Sequence, residues 1–106
     1  MNKKFYKEIL FTIIIIIFIK PVYADDKMTL GLEIYNNKAQ CGVCHSLQSA
    51  NSEGQIGPNL DDLKPKMDQI IYVVKNGIGL MPSFESLLTN DEIEAVAYYV
   101  FNSTNN

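Results

Sequence analysis

Two cysteines two residues apart with a histidine directly behind the second, Cys41-Gly42-Val43-Cys44-His45, form the stretch of this 106-residue sequence whose spacing is suited to chemistry. On a helical turn both sulfurs face one side, where each can form a thioether bond to one of the two vinyl groups of a porphyrin. The imidazole that follows can then present a ring nitrogen to the iron. The pattern is that of covalent attachment of a c-type haem. Other chemistry fits it less well. A structural zinc site uses four N or S ligands, and the chain holds two Cys and one His in all. A thioredoxin-like dithiol needs a strand–helix–strand context, whereas the flanking residues read as helix and loop.

A haem iron held by one histidine keeps a second axial position, and its occupant separates electron transfer from ligand chemistry. Met67 and Met81 follow the motif. Met67 falls near the start of a helical stretch, where a methionine ordinarily packs. Met81 falls in Gly77-Ile78-Gly79-Leu80-Met81-Pro82-Ser83-Phe84, whose glycines permit tight turns and whose proline stiffens the backbone beside the sulfur. Met81 is therefore the candidate sixth ligand. The competing reading is a core methionine with the sixth position vacant or held by water.

The elements that must position these residues are helical. Thr29 is placed to cap a first helix with Leu30 and Ile34 on its apolar stripe and Gly31 one turn from Tyr35. The glycine lets another helix approach closely. Pro65 suits the first turn of a second helix, with Ile70, Val73 and Val74 on its buried face and Gly77 ending it. A capping box, Thr89-Asn90-Asp91-Glu92, opens a third helix carrying Ile93, Val96, Ala97, Val100 and Phe101, and residues 102–106 read as a frayed polar tail. The segment 46–64 reads as irregular loop, and no stretch alternates in the manner of a strand.

Before all of this stands a different kind of segment. Lys3, Lys4 and Lys7 precede an apolar run from Ile9 to Ile19 with five successive isoleucines, about half the ~20 residues needed to span a bilayer. Val22-Tyr23-Ala24 is a small-residue cleavage site. Residues 1–24 thus read as a cleavable signal peptide and 25–106 as one exported domain in the periplasm, with no stable membrane insertion after cleavage; the competing reading, with Lys20 and Pro21 standing between the apolar run and the cleavage site, is a retained membrane anchor. A domain of roughly 80 residues supplies only a marginal core unless something staples it; the haem would be that staple. In residues 25–106 five lysines stand against eleven carboxylates, a net charge of −6 without a single arginine. That balance argues against nucleic acid or an anionic membrane as partner and permits steering toward a basic protein surface.

The chain resembles the class I cytochromes c, in their small exported monohaem form, over about Leu30 to Phe101. The likeness rests on Cys41, Cys44 and His45, on Gly57-Pro58-Asn59-Leu60, on Met81-Pro82, and on Gly31 and Tyr35 facing a last helix that carries Ala97-Tyr98-Tyr99-Val100. It implies an all-α fold of about three to four helices around one covalently bound haem c. It further implies Cys41 and Cys44 as attachment points, His45 and Met81 as axial ligands, and the Pro58 carbonyl as acceptor of the other His45 ring N–H. Gly31, Tyr35 and Tyr99 would mark the crossing of the first and last helices. Asn59, Tyr72, Lys75 and Asn76 are candidates for the haem propionates.

The function so implied is one-electron carriage, with no bond-making catalysis by this chain alone. Electrons would arrive from a dehydrogenase or quinol-oxidising complex and leave to an oxidase or peroxidase. A narrower likeness, in Gly54 to Pro65 and Asn76 to Phe84, is to the cytochrome subunit of bacterial sulfite dehydrogenases, where a molybdenum-containing subunit is the partner. A ligand-sensing haem protein is the alternative should Met81 not bind the iron.

Overall fold

The computed structural model describes Lys3 and residues 23–105. Most of the segment read as an export signal lies outside them. Among the described residues no helix is long and apolar enough to cross a membrane.

The first helix, α1, runs Tyr23–Glu33 and continues as a π-turn over Ile34–Lys38, closed by Ala39 N–H on Ile34 O at 2.8 Å. It begins well before Thr29, which is an interior residue and not the cap the sequence predicts. The apolar stripe shifts accordingly. Gly31, Ile34 and Tyr35 share the buried face at helical spacing, while Leu30, one position out of register, is 42% exposed.

The segment expected to be loop holds real structure. Two-residue strands β1 (Ser46–Leu47) and β2 (Ser52–Glu53) pair antiparallel, with a 3-10 turn at Gln48–Ala50 between them. Strands this short contain too few residues to display an alternation. A four-residue helix, α2 (Leu60–Leu63), follows, its first N–H groups at Asp61 and Asp62 capped by Asn59 Oδ1 at 2.9 and 3.3 Å.

The helix α3 spans Met67–Asn76, so Pro65 sits just outside it and is buried there. Ile70 and Val74 are buried, Val73 half-buried, and Gly77 ends the helix as the sequence predicts. The last helix, α4 (Asn90–Thr104), opens on the expected box: Thr89 N–H donates to Glu92 Oε1 at 3.0 Å and Glu92 N–H to Thr89 Oγ1 at 3.2 Å. It extends through residues read as a tail. Thr104 is buried with its hydroxyl on Val100 O at 2.9 Å, and Asn105 Nδ2 donates to Pro65 O at 3.4 Å.

α1 and α4 cross at Gly31. A Cβ there would lie 2.3 Å from Ala95 O and 2.5 Å from Tyr99 Cβ, so any side chain would push the helices apart. Beside the contact the Tyr35 and Tyr99 rings meet at a tilt, 6.0 Å between centroids. Two ion pairs reinforce the crossing from outside: Lys27–Glu94 at 2.5 Å, with the ammonium also 5.0 Å from the Tyr98 ring, and Lys38–Glu92 at 2.6 Å. Ile34, Tyr35, Leu47 and Val96 are the largest fully buried side chains.

Candidate haem site

The attachment motif is one tight turn. Gln40 adopts the left-handed conformation (φ 51°, ψ 47°) that breaks the chain away from the π-turn. Cys41–Val43 then forms a 3-10 turn, and the N–H groups of Cys44 and His45 both donate to Cys41 O, at 3.1 and 2.9 Å. The cysteines are not joined in a disulfide, and both are half-buried. Burial pushes the Cys41 thiol up to about 11, its backbone hydrogen bond opposing and the neighbouring Cys44 adding to the rise. A thiol held protonated at neutral pH is the reverse of an exchange-active dithiol, whose nucleophile is a low-pKa thiolate.

His45 is fixed from two sides. Its Nδ1 lies 2.7 Å from Pro58 O. A carbonyl only accepts, so Nδ1 carries the proton and Nε2 is left with a free lone pair. Gly57 lies against the ring, where a Cβ would come within 2.6 Å of Cε1 and 2.8 Å of Nδ1. The imidazole thus has an orientation and a tautomer set by the two residues of the Gly57-Pro58 pair.

Met81 is held by a different device. Gly77 (φ 77°) turns the chain back at the end of α3, and Ile78 and Met81 exchange N–H···O bonds at 3.0 and 2.9 Å around Gly79 (φ 57°) and Leu80. No side chain fits at Gly77, where a Cβ would sit 2.7 Å from Met81 O. Ser83 Oγ donates to Lys75 O and Phe84 N–H to Val74 O, which ties the returning chain to α3.

These pieces converge on a cavity of about 750 Å³. Cys41, His45, Pro58 and Met81 all line it, and Leu60, Ile70, Val74, Val96 and Val100 make its apolar wall. Cys44 closes the same turn as Cys41 and is not among the lining residues. Met67 is not part of the lining but packs partly buried against the core. Of the four propionate candidates Tyr72 lines the cavity. Asn59 is occupied as the α2 cap, Asn76 Nδ2 donates to Tyr72 O at 2.9 Å, and Lys75 stands 4.0 Å from Glu85. Tyr35, whose phenol burial raises to about 12 against a lowering hydrogen bond with Ser52, also borders the space. An apolar slot lined by the Cys41 thiol, the His45 imidazole and the Met81 thioether fits a haem.

The comparisons with known proteins agree. The family described as cytochrome c oxidase, cbb3-type, subunit III, matches residues 26–100. The chain belongs to the class I cytochromes c. It is 33% identical over 85 residues to the chloroplastic cytochrome c6 of Chlamydomonas reinhardtii, covering 70% of this chain and 53% of that one. The chain thus spans about half of that relative's length. Over 84 residues it is 33% identical to the cytochrome c6 of Tetradesmus obliquus, 88% of which is covered. The crystal structure of the c-type cytochrome SorU from Sinorhizobium meliloti is similar with a TM-score of 0.71 and 48% identity, over 76% of this chain and 93% of that one. The cytochrome c described here therefore carries covalently bound haem c and serves electron transfer, and its mostly helical architecture is the all-α fold the sequence implies.

The cavity wall is what the sequence reading missed. Ile70, Val96 and Val100 read as generic core positions of two separate helices and Leu60 only as part of a loop motif, and helical periodicity cannot tell a face turned to a cofactor from one turned to another helix. The serines of the hairpin, Ser49 and Ser52, gave no signal beyond loop composition.

Proposed function

We propose that Cys41 and Cys44 anchor the haem, that His45 and Met81 are the axial ligands, and that the chain is a periplasmic one-electron carrier released from its signal peptide after Ala24. The observation that carries this reading is the pairing of an imidazole with Nδ1 committed to Pro58 and a backbone-pinned thioether, both on the lining of one apolar cavity. When bound, the haem supplies one-electron exchange at its iron. His45 offers Nε2 as a donor strengthened by the Nδ1–H···O bond. Met81 offers a weak thioether donor, which favours the ferrous state relative to a second imidazole. The apolar wall disfavours the extra positive charge of the ferric state, in the same direction. With His45 and Met81 both holding the iron, no vacant site would remain for a substrate.

Electrons would reach this carrier from a dehydrogenase or quinol-oxidising complex and pass to an oxidase or peroxidase. Its net negative charge supports steering by a basic partner surface, so raising ionic strength should slow the transfer. A narrower reading makes it the cytochrome subunit of a sulfite dehydrogenase. It is supported by the likeness of Gly54–Pro65 and Asn76–Phe84 to that class. The experiment is to add sulfite to a gently prepared periplasmic extract, with an extract depleted of molybdenum enzyme as control. Enzyme-dependent reduction of this haem with co-elution of the two proteins supports the narrower reading. No reduction in a demonstrably active extract leaves a general carrier.

A further inference from the structure

A helix crossing built on aromatic rings needs their bulk and not their hydroxyls, yet both tyrosines at the α1–α4 crossing direct the phenol oxygen at one small segment. Tyr35 Oη lies 2.9 Å from Ser52 Oγ, and Tyr99 Oη lies 2.6 Å from Ser49 Oγ. Both serines belong to the hairpin Ser46–Glu53. A third tie joins Gln48 N–H to the Asp61 carboxylate at 2.8 Å. The hairpin is thereby fastened to α1, α4 and α2. It needs the fastening, because two strands of two residues have no stability of their own.

The chain that leaves this hairpin is the one that touches His45. Gly54 N–H donates to His45 O at 3.2 Å, and a Cβ at Gly54 would lie 2.5 Å from Cys44 C and 2.6 Å from His45 N. Gly57 N–H donates to Cys44 O at 2.7 Å, and Pro58 supplies the carbonyl for Nδ1. The hairpin also abuts the attachment turn from its other side. A Cβ at Gly42 would be 2.7 Å from Ser52 Cβ and 3.5 Å from Tyr35 Cε1. Moving the hairpin therefore moves the acceptor of the His45 proton relative to the ring.

We propose that the pairs Tyr35–Ser52 and Tyr99–Ser49 form a two-point clasp that positions His45, by holding Gly57-Pro58 in register with the imidazole and so setting the strength of the Nδ1–H···O bond. The four are positioning residues. The inference rests on the reading of His45 as an iron ligand. A ring whose N–H is given to a well-placed acceptor is the more basic at its other nitrogen and favours ferric iron. Loosening the clasp weakens that bond and raises the reduction potential.

The test uses the holoprotein and its variants Tyr35→Phe, Tyr99→Phe, Ser52→Ala and Ser49→Ala. The serine changes leave the cavity lining untouched and separate the clasp from a direct effect of Tyr35 on the cavity. Two quantities are read: the reduced-to-oxidised ratio at fixed ambient potential, and the solvent exchange rate of the His45 ring N–H by NMR. Each variant is expected to shift the ratio about twofold toward reduced and to speed the exchange. A combined Tyr35→Phe/Tyr99→Phe variant should reach about threefold, or ~28 mV at 59 mV per tenfold for one electron. Ser49→Thr, which keeps the hydroxyl, should restore both values. Unchanged ratio and exchange in the serine variants overturn the clasp. Absence of a paramagnetic shift on the His45 ring signals of the oxidised wild type would instead overturn the ligand reading on which it rests.

Discussion

The α1–α4 crossing and the cavity wall are built from the same kinds of residue, and they differ in what each face meets. At the crossing, Gly31 lies directly against Ala95 and Tyr99, the Tyr35 ring meets that of Tyr99, and ion pairs close the edges. At the wall, Ile70 and Val74 of α3 and Val96 and Val100 of α4 turn toward about 750 Å³ of space. Protein atoms complete the first region, whereas the second requires a large apolar partner. The contrast explains how so short a domain secures a core: the cofactor would supply part of it.

The widest test of this contrast removes the haem. With Cys41 and Cys44 both changed to serine, the cooperative thermal melt should vanish, because the wall loses its filling while the crossing alone buries too little. A native-like cooperative melt of haem-free protein, followed by circular dichroism, would erase the distinction between the two regions. Next in size is the crossing itself. In the holoprotein Gly31→Ala should cost about 1–3 kcal/mol by overpacking, read from the urea midpoint. Gly79→Ala, a site with open space around it but φ 57°, should cost about 1–2 kcal/mol, all of it backbone strain. Equal steric relaxation at Gly31 with no loss of stability would show that the helices can part.

Smaller effects concern the helix ends that hold the crossing. Thr89→Ala removes the α4 cap and should lower stability by about 1 kcal/mol without altering the visible spectrum. The Glu92 carboxyl is held below its ordinary value of 4.5 first by the hydrogen bond from Lys38 and then by the Thr89 backbone N–H. A carboxylate with a depressed folded-state pKa adds stability that is present above its unfolded value and lost as pH falls through the folded one. The gap in melting temperature between wild type and Glu92→Gln should therefore be full at neutral pH and shrink below about pH 4.5. A gap independent of pH would mean that the carboxylate charge is not what ties α4 to Lys38.

The same contrast governs what could be read from the sequence. The crossing was legible because Gly31, Tyr35 and the Thr89–Glu92 box are local signals, the motif Cys41–His45 and Met81 were legible because their chemistry dictates residue types, and Pro58 was legible through the family resemblance alone. Thr29 misled as a cap because a helix start is inferred from the first good capping residue, whereas the apolar contacts at Gly31 and Ile34 support a helix that begins at Tyr23. Residues 102–104 looked polar and frayed, yet the Thr104 hydroxyl can satisfy a carbonyl of its own helix. The hairpin at Ser46–Glu53 was illegible because its stability comes from Tyr35, Tyr99 and Asp61, all distant in the chain.

Protein donors at both axial positions, as proposed for His45 and Met81, would leave the chain a one-electron carrier. The decisive measurement presents carbon monoxide to the reduced, purified holoprotein at neutral pH, beside its Met81→Ala variant. Both should give a single one-electron titration, with sluggish carbon monoxide binding by the wild type and fast binding with a lowered potential in the variant. Wild-type protein that binds carbon monoxide as fast as Met81→Ala would contradict it and make this a ligand-binding haem protein.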